Sequence, residues 1–285
     1  MNYNFFLKQG DKIGIFAPSS DFDQKEFSKG IETIKKEGLI PVYNKKLTEK
    51  SSGYLKFDDN FRKKHIEDLL LNKDIKVIIA ARGGYGAIRT LNSLDRKLLI
   101  KSKKLIAGFS DITIFHVFMN KNNIPTLHSL MVAAFSRNKN ATKQLFRILK
   151  GEIRELNYKL NGKNNKSIKG YITGGNLAVI TSLAGTKYFT DFKDKILFLE
   201  DINEPLYKID RMLMQLKLSN INPSAIVLGQ FSNCGRYSDI ISVFTKTLPS
   251  IPIFYGLNIG HINETESILL GMPVEINDFN LKITF

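Results

Sequence analysis

The chain has 285 residues, 43% hydrophobic and 24% charged, which fits an ordinary globular protein of one large domain or two small ones. Its single cysteine, Cys234, excludes an internal disulfide and any multi-cysteine metal site, and no apolar run approaches the ~20 residues that span a bilayer. The net charge of +15 is uneven: residues 1–150 hold 28 Lys and Arg against 14 Asp and Glu, whereas residues 151–285 hold 14 against 13.

That excess could attract an acidic ligand or nucleic acid. The basic residues are dispersed, however, with no aromatic-interleaved module or zinc finger among them. A solvated lysine-rich surface is the expectation, with no nucleic-acid partner and no membrane association. The first residues lack a basic segment followed by an apolar core and a small-residue cleavage site, so a cytoplasmic location is expected. Cys234 is expected to be a buried structural thiol.

In chain order, residues 12–17 read as a strand running into a loop at Pro18-Ser19-Ser20. Residues 26–37 carry Phe27, Ile31 and Ile34 at helical spacing, and Gly38 fits the helix end. A short strand at 41–43 and an amphipathic helix at 60–71 follow. Residues 75–81 form a continuous apolar strand, of the kind buried on both faces of a parallel sheet. It leads into Arg82-Gly83-Gly84-Tyr85-Gly86 and a helical stretch through Leu91. Another strand at 104–109 precedes a helix at 111–119. This alternation predicts an α/β layer with its site at the C-terminal ends of the strands. Residues 151–169, rich in Asn, Gly and Lys, read as a linker. Beyond it come Gly174-Gly175-Asn176, a helix at 177–184, strands at 196–199 and 225–228 with a helix at 209–216 between them, and strands at 253–255, 267–270 and 281–285.

Four segments carry residues with chemical potential. In Gly108-Phe109-Ser110-Asp111 a serine stands where a strand becomes a helix. It either caps the helix or exposes its hydroxyl on a tight turn, as in a nucleophile elbow whose second glycine is replaced by Ile112. The Arg82–Gly86 glycines are a tight turn, a phosphate loop or an oxyanion hole. The third glycine of a dinucleotide fingerprint is missing, since Arg89 stands there, and so is the Walker Gly-Lys-Ser/Thr. Glu200 ends a strand, where a carboxylate can orient an imidazole, bind a metal or simply meet solvent. His261 follows Gly260 in loop-like sequence, as His128 does at its own position. His65, on a charged helix, is expected to be exposed, and His116 to pack within its helix.

Taken together, the sequence resembles the LD-carboxypeptidase family of serine peptidases, which includes the microcin C immunity peptidases. The resemblance covers nearly the whole chain. It runs from Ile13-Gly14-Ile15-Phe16-Ala17-Pro18-Ser19-Ser20 through the segments 81–87 and 108–113, Gly174-Gly175-Asn176-Leu177, Phe198-Leu199-Glu200-Asp201-Ile202, the segment 207–213, and 256–261. It implies Ser110 as nucleophile, His261 as general base and acid, Glu200 as the carboxylate orienting His261, and an oxyanion hole from the amides of Gly84 and Asp111. Attack by Ser110 would give an acyl-enzyme that water hydrolyses.

The resemblance also implies an L,D-carboxypeptidase that removes terminal D-alanine from cytoplasmic muropeptides in peptidoglycan recycling. No metal or organic cofactor is needed, and a homodimer is expected. Arg82 is expected to help hold substrate carboxylates. The expected fold is α/β: an N-terminal α/β domain with a largely parallel sheet (residues 1–150), a linker (151–169), and a C-terminal mixed, β-barrel-like domain (170–285), with the active site between them. Family members commonly have His-Gly-Pro-Met where this chain has His128-Ser129-Leu130-Met131. The lack of tryptophan separates it from the aromatic loop of the microcin-immunity branch. Alternatives are a peptidase cleaving a peptide–nucleotide amide and a non-catalytic anion- or nucleotide-binding module built on Gly83-Gly84-Tyr85-Gly86.

Overall fold

A computed structural model describes residues 5–49, 53–162 and 167–285. Its strands are β1 Lys12–Phe16, β2 Ile40–Val42, β3 Ile75–Ala80, β4 Leu105–Gly108, β5 Thr126–His128, β6 Glu155–Lys159, β7 Asn161–Gly162, β8 Ile168–Asn176, β9 Lys195–Ile202, β10 Ala225–Ser232, β11 Ile253–Tyr255, β12 Ile268–Leu270, β13 Pro273–Asn277 and β14 Asn280–Thr284. Its helices are α1 Gln24–Lys36, α2 Asp59–Leu71, α3 Ala87–Ser93, α4 Arg96–Ser102, α5 Thr113–Lys121, α6 Lys139–Leu149, α7 Leu177–Ser182, α8 Leu206–Leu218 and α9 Tyr237–Thr247.

The first sheet has the order β12-β5-β4-β3-β1-β2. Strands β1 to β5 run parallel and β12 joins β5 antiparallel. Successive side chains of a strand point to opposite faces. Ile13, Ile15, Val77, Ile79, Leu105 and Ala107 therefore enter one core with α1 and α6. Phe16, Ile78, Ala80 and Ile106 enter another with α2, α3, α4 and α5. Both faces are covered, which is why β3 reads as an apolar run from Val77 to Ala80.

The second sheet has the order β6-β14-β13-β8-β9-β10-β11-β7. Its centre, β8 to β11, is parallel and its flanks are antiparallel. Strands β6 and β7 lie at opposite ends of this order, yet only Leu160 separates them in the chain. Two positions so close in sequence stay within about 7 Å, so the sheet must curl until its edges meet. The strand passes from β14 to β11 at this point: the Leu160 N–H continues the β14 pairing on the Phe279 carbonyl at 2.6 Å, and Asn161 and Gly162 pair with β11. This is the barrel-like form expected for the C-terminal half.

Some stretches differ from the sequence reading. Residues 151–169 carry β6, β7 and the start of β8 instead of a plain linker. Leu156, Tyr158 and Leu160 are buried while Glu155, Asn157 and Lys159 are exposed, a two-residue period hidden among Asn, Gly and Lys. Helices α4, α6 and α9 and strand β5 also went unread. His65 is buried on α2, 5% exposed, and accepts the Asn44 N–H at 3.3 Å; desolvation pushes its pKa down to about 4. Cys234 is buried as expected.

Helix α1 packs tightly on the 3-10 segment Val132–Arg137 through Gly30. A Cβ at this position would stand 2.1 Å from the Val132 carbonyl oxygen, a backbone atom that cannot rotate away. Gly30→Ala is expected to destabilise the fold by about 1–3 kcal/mol through overpacking, lowering the urea midpoint. An unchanged midpoint would show that this contact yields freely.

Candidate active site

The chemistry-bearing loops follow the C-terminal ends of parallel strands, as this architecture favours. Pro18-Ser19-Ser20 follows β1, the glycine loop follows β3, and Ser110 follows β4. On the second sheet, Asn176 ends β8, Glu200 lies near the end of β9, and His261 is carried by the loop after β11.

Ser110 has φ 63°, a left-handed conformation rare for a residue with a side chain. It opens a 3-10 turn that passes into α5. The close approach at Gly108 explains why the first elbow glycine is kept. A Cβ at Gly108 would meet Ile112 Cγ1 at 2.9 Å and Ala80 Cβ at 3.1 Å, so Ile112 itself fills the space beside the turn. The glycine loop lies directly over Ser110, since a Cβ at Gly83 would stand 3.0 Å from Ser110 Cβ and 3.3 Å from its Oγ. Asp111 is in the first turn after Ser110, where backbone N–H groups lack intrahelical partners.

The Asp111 side chain has a second task that the sequence did not reveal. Its Oδ2 accepts hydrogen bonds from Ser19 Oγ at 2.6 Å and from the Ala87 N–H at 2.8 Å. One buried carboxylate thus ties the loop after β1 and the start of α3 to the turn of Ser110. Burial raises its pKa, opposed by those two hydrogen bonds and by the charge of Arg62. Arg62, itself buried, donates to the Pro18 carbonyl at 2.9 Å, and Thr90 Oγ1 donates to the same oxygen at 2.9 Å. Ser20 Oγ accepts the Tyr85 N–H at 3.0 Å, which sets the loop residue next to Gly84.

Glu200 is 0% exposed, and its Oε2 lies 2.7 Å from His261 Nδ1. Its Oε1 is buried with no hydrogen-bond partner among the described residues. Gly260 permits this approach, because a Cβ there would meet Glu200 Oε2 at 3.3 Å and the backbone φ is 146°. Asp201, beside Glu200, accepts from Asn176 Nδ2 at 2.8 Å, the Ile202 N–H at 2.8 Å and the Ala178 N–H at 2.9 Å. Asp201 is nonetheless pushed up to about 6, by burial first and then by the charge of Glu200. Asn176 also caps α7 through Val179 and donates its own N–H to Thr113 Oγ1 at 2.9 Å. Thr113 begins α5, so a chain of hydrogen bonds joins the serine turn to the Glu200 strand. Asn176 and Thr113 lay inside recognised motifs, but their partners are distant in sequence.

The ring of Phe109 stands between two histidines, 4.8 Å from His261 and 5.7 Å from His128 by ring centroids. His128, read as a loop residue, ends β5 and is 1% exposed. Desolvation holds its pKa well below the ordinary value, so the ring is neutral. His116 is fully buried on α5 with Nε2 2.9 Å from the Gly108 carbonyl, in keeping with the expected helix packing. The stretch 128–131, which departs from the family pattern, is buried throughout, and the Ser129 N–H donates to the Gly108 carbonyl at 3.1 Å. Arg82 is exposed and donates to the Asp21 carbonyl. Among the described residues no cluster of three or more His, Cys, Asp or Glu could hold a metal.

The buried carboxylate–imidazole pair thus lies against the ring of Phe109, the residue before Ser110, and comparison with known proteins supplies the family. The family model for the LD-carboxypeptidase N-terminal domain matches residues 13–129 and that for the C-terminal domain matches residues 169–276. A probable murein peptide carboxypeptidase of Bacillus subtilis is 30% identical over 95% of this chain and 90% of its own length. The microcin C7 self-immunity protein MccF of Escherichia coli is 26% identical over 98% of this chain and 94% of its own. The crystal structure of muramoyltetrapeptide carboxypeptidase from Oxalobacter formigenes superposes with a TM-score of 0.84 at 28% identity, covering 95% of this chain and 99% of that one. The chain belongs to the LD-carboxypeptidase family.

Burial of the His261 ring opposes its charged form, but the hydrogen bond to Glu200 and the charges of Glu200 and Asp201 outweigh it, so the pKa is raised above its ordinary 6.5. The imidazole therefore becomes neutral, and able to accept a proton, only at higher pH. Glu200→Gln removes the charge and leaves the burial, so the His261 pKa is expected to drop when followed by NMR titration of the imidazole. An unchanged or higher value would show that Glu200 does not set it.

Proposed function

We propose that the protein is a serine-type L,D-carboxypeptidase that releases terminal D-alanine from muropeptides in the cytoplasm, as a step of peptidoglycan recycling. The observation that carries this reading is the 2.7 Å contact between the buried Glu200 and His261 Nδ1, with the Phe109 ring against His261 and Ser110 next in the chain at φ 63°. The names of the relatives in Bacillus subtilis and Oxalobacter formigenes supply the substrate class.

In this mechanism Ser110 Oγ attacks the carbonyl before the last residue as its proton passes to His261 Nε2. Glu200 holds the other ring nitrogen and stabilises the imidazolium. The N–H groups of Gly84 and Asp111 receive the oxyanion, each worth about 3–4 kcal/mol in the transition state. Collapse breaks the C–N bond, and His261 returns the proton to the departing D-alanine amine. Water, deprotonated by His261, then hydrolyses the acyl-enzyme and frees Ser110. None of these steps calls for a metal or organic cofactor. Arg82, exposed next to Gly83, would meet a substrate carboxylate, and Arg82→Leu should raise KM or lower turnover for carboxylate-bearing peptides.

The decisive assay incubates the protein with a muramyl tetrapeptide and measures free D-alanine. Release is expected from the native chain, with a loss of more than about 10⁴-fold in Ser110→Ala. Absence of release by the native chain, or retention of activity in Ser110→Ala, would overturn the reading. Cleavage of a peptide–nucleotide amide instead would place the chain functionally with the microcin-immunity relative.

A further inference from the structure

Two large aromatic side chains stand in solvent beside the glycine loop, and the mechanism uses neither. Tyr54 is 68% exposed and Tyr85 49%. Their ring centroids are 6.2 Å apart and their planes are inclined by 31°, so the rings form one broad shelf. Neighbouring exposed tyrosines offer an apolar face with polar tips, the composition of a ligand contact more than of an idle surface.

The shelf is anchored at its base. The Tyr85 N–H donates to Ser20 Oγ at 3.0 Å, and Leu55, next to Tyr54, forms an antiparallel bridge with the same Ser20. The Lys56 N–H donates to the Ser19 carbonyl at 3.2 Å. Its side chain is fully buried, with Nζ 2.7 Å from Asp21 Oδ1 and 4.8 Å from the centre of the Phe22 ring. Both tyrosines are therefore mounted on segments whose backbones meet at one serine.

The distance from the nucleophile is bounded by chain geometry. Gly83 touches Ser110 and Tyr85 lies two residues further on. At 3.8 Å per Cα step, Tyr85 Cα lies no more than about 12 Å from Ser110 Cβ. A tetrapeptide that loses its last residue has three residues before the scissile carbonyl. Extended, these span roughly 10–11 Å. A group attached ahead of the first residue lies at a comparable distance from Ser110, within reach of the tyrosines for a peptide that runs along the glycine loop.

We propose that Tyr54 and Tyr85 form a saccharide subsite that stacks against the amino sugar of a muropeptide, so that glycan-bearing tetrapeptides are the preferred substrates. The proposal rests on the L,D-carboxypeptidase reading and extends it to the non-peptide end of the substrate. Tyr54→Ala is the informative change, because its ring is the more exposed and lies outside the loop that holds the oxyanion amide.

The test compares kcat/KM for muramyl tetrapeptide and for the free tetrapeptide in the native chain, Tyr54→Ala and Tyr54→Phe. The native chain should prefer the muramyl peptide by roughly tenfold. Tyr54→Ala should erase that preference and Tyr54→Phe, which retains the ring face, should keep it. Equal rates on both peptides in the native chain, or a preference that survives Tyr54→Ala, would overturn the subsite. A Tyr54-dependent preference for a nucleotide-bearing peptide would replace the sugar by a base. A separate arm titrates N-acetylmuramyl dipeptide into Ser110→Ala and follows tyrosine fluorescence, which no tryptophan obscures in this chain. Saturable binding lost in Tyr54→Ala supports the subsite even if no peptide is cleaved, and absence of binding sinks it independently of the hydrolase reading.

Discussion

A carboxylate held away from water is costly unless a positive charge or hydrogen-bond donors compensate it. Glu200 is in that position: it is completely buried, one oxygen faces His261, and the other has no partner among the described residues. Asp201 next to it adds a second carboxyl to the same interior. The arrangement makes an imidazolium on His261 more welcome than it would be in water. A proton arriving on His261 is stabilised by the fixed carboxylate without reorganisation of solvent.

The remainder of the site ties the strand that carries Glu200 to the serine turn. Two buried carboxyl groups act as clamps. Asp111 gathers Ser19 and the first amide of α3 around the turn, and Asp201 gathers Asn176 and the Ala178 amide of α7 beside Glu200. The Asn176–Thr113 hydrogen bond joins the two clamps. Apolar packing reinforces the link. Each core cluster contains residues of both sheets, with Val77 and Phe198 in one and Ile78 and Leu199 in the other. Strand β12, from the C-terminal part of the chain, completes the edge of the first sheet on β5. The halves are thus held by backbone pairing and shared cores, which suits a site whose parts must stay aligned within fractions of an ångström.

The histidines illustrate how burial sorts identical side chains. His65, His116 and His128 are buried with no hydrogen-bonded carboxylate among the described residues, and desolvation lowers their pKa values, against a weaker pull from Asp68 on His65. His261 is also buried, but its carboxylate partner reverses the balance. His128 supports the site by packing, as the far wall behind Phe109. The replacement of a Gly-Pro pair by Ser129-Leu130 leaves this segment buried, with the Ser129 amide bonded to the strand that carries the serine turn.

Much of this was legible in the order of residues. Apolar runs such as 77–81 mark buried parallel strands because both faces must be greasy there. The glycines and Ser110, Glu200 and His261 were marked by their places after strands and by their resemblance to family motifs. The strands within 155–162 were missed because turn-forming residues masked the alternation of Leu156, Tyr158 and Leu160. The exposure of His65 was misjudged because charge along a helix does not say which face is covered. Only the tertiary structure could pair Asp111 with Ser19, Asp201 with Asn176, or Glu200 with His261, since these contacts span from 25 to 92 residues of chain. Local sequence determines the backbone conformations and side-chain chemistry on offer. Which groups share an interior, and therefore which protons they hold, is decided by the packing of distant segments and the water it excludes.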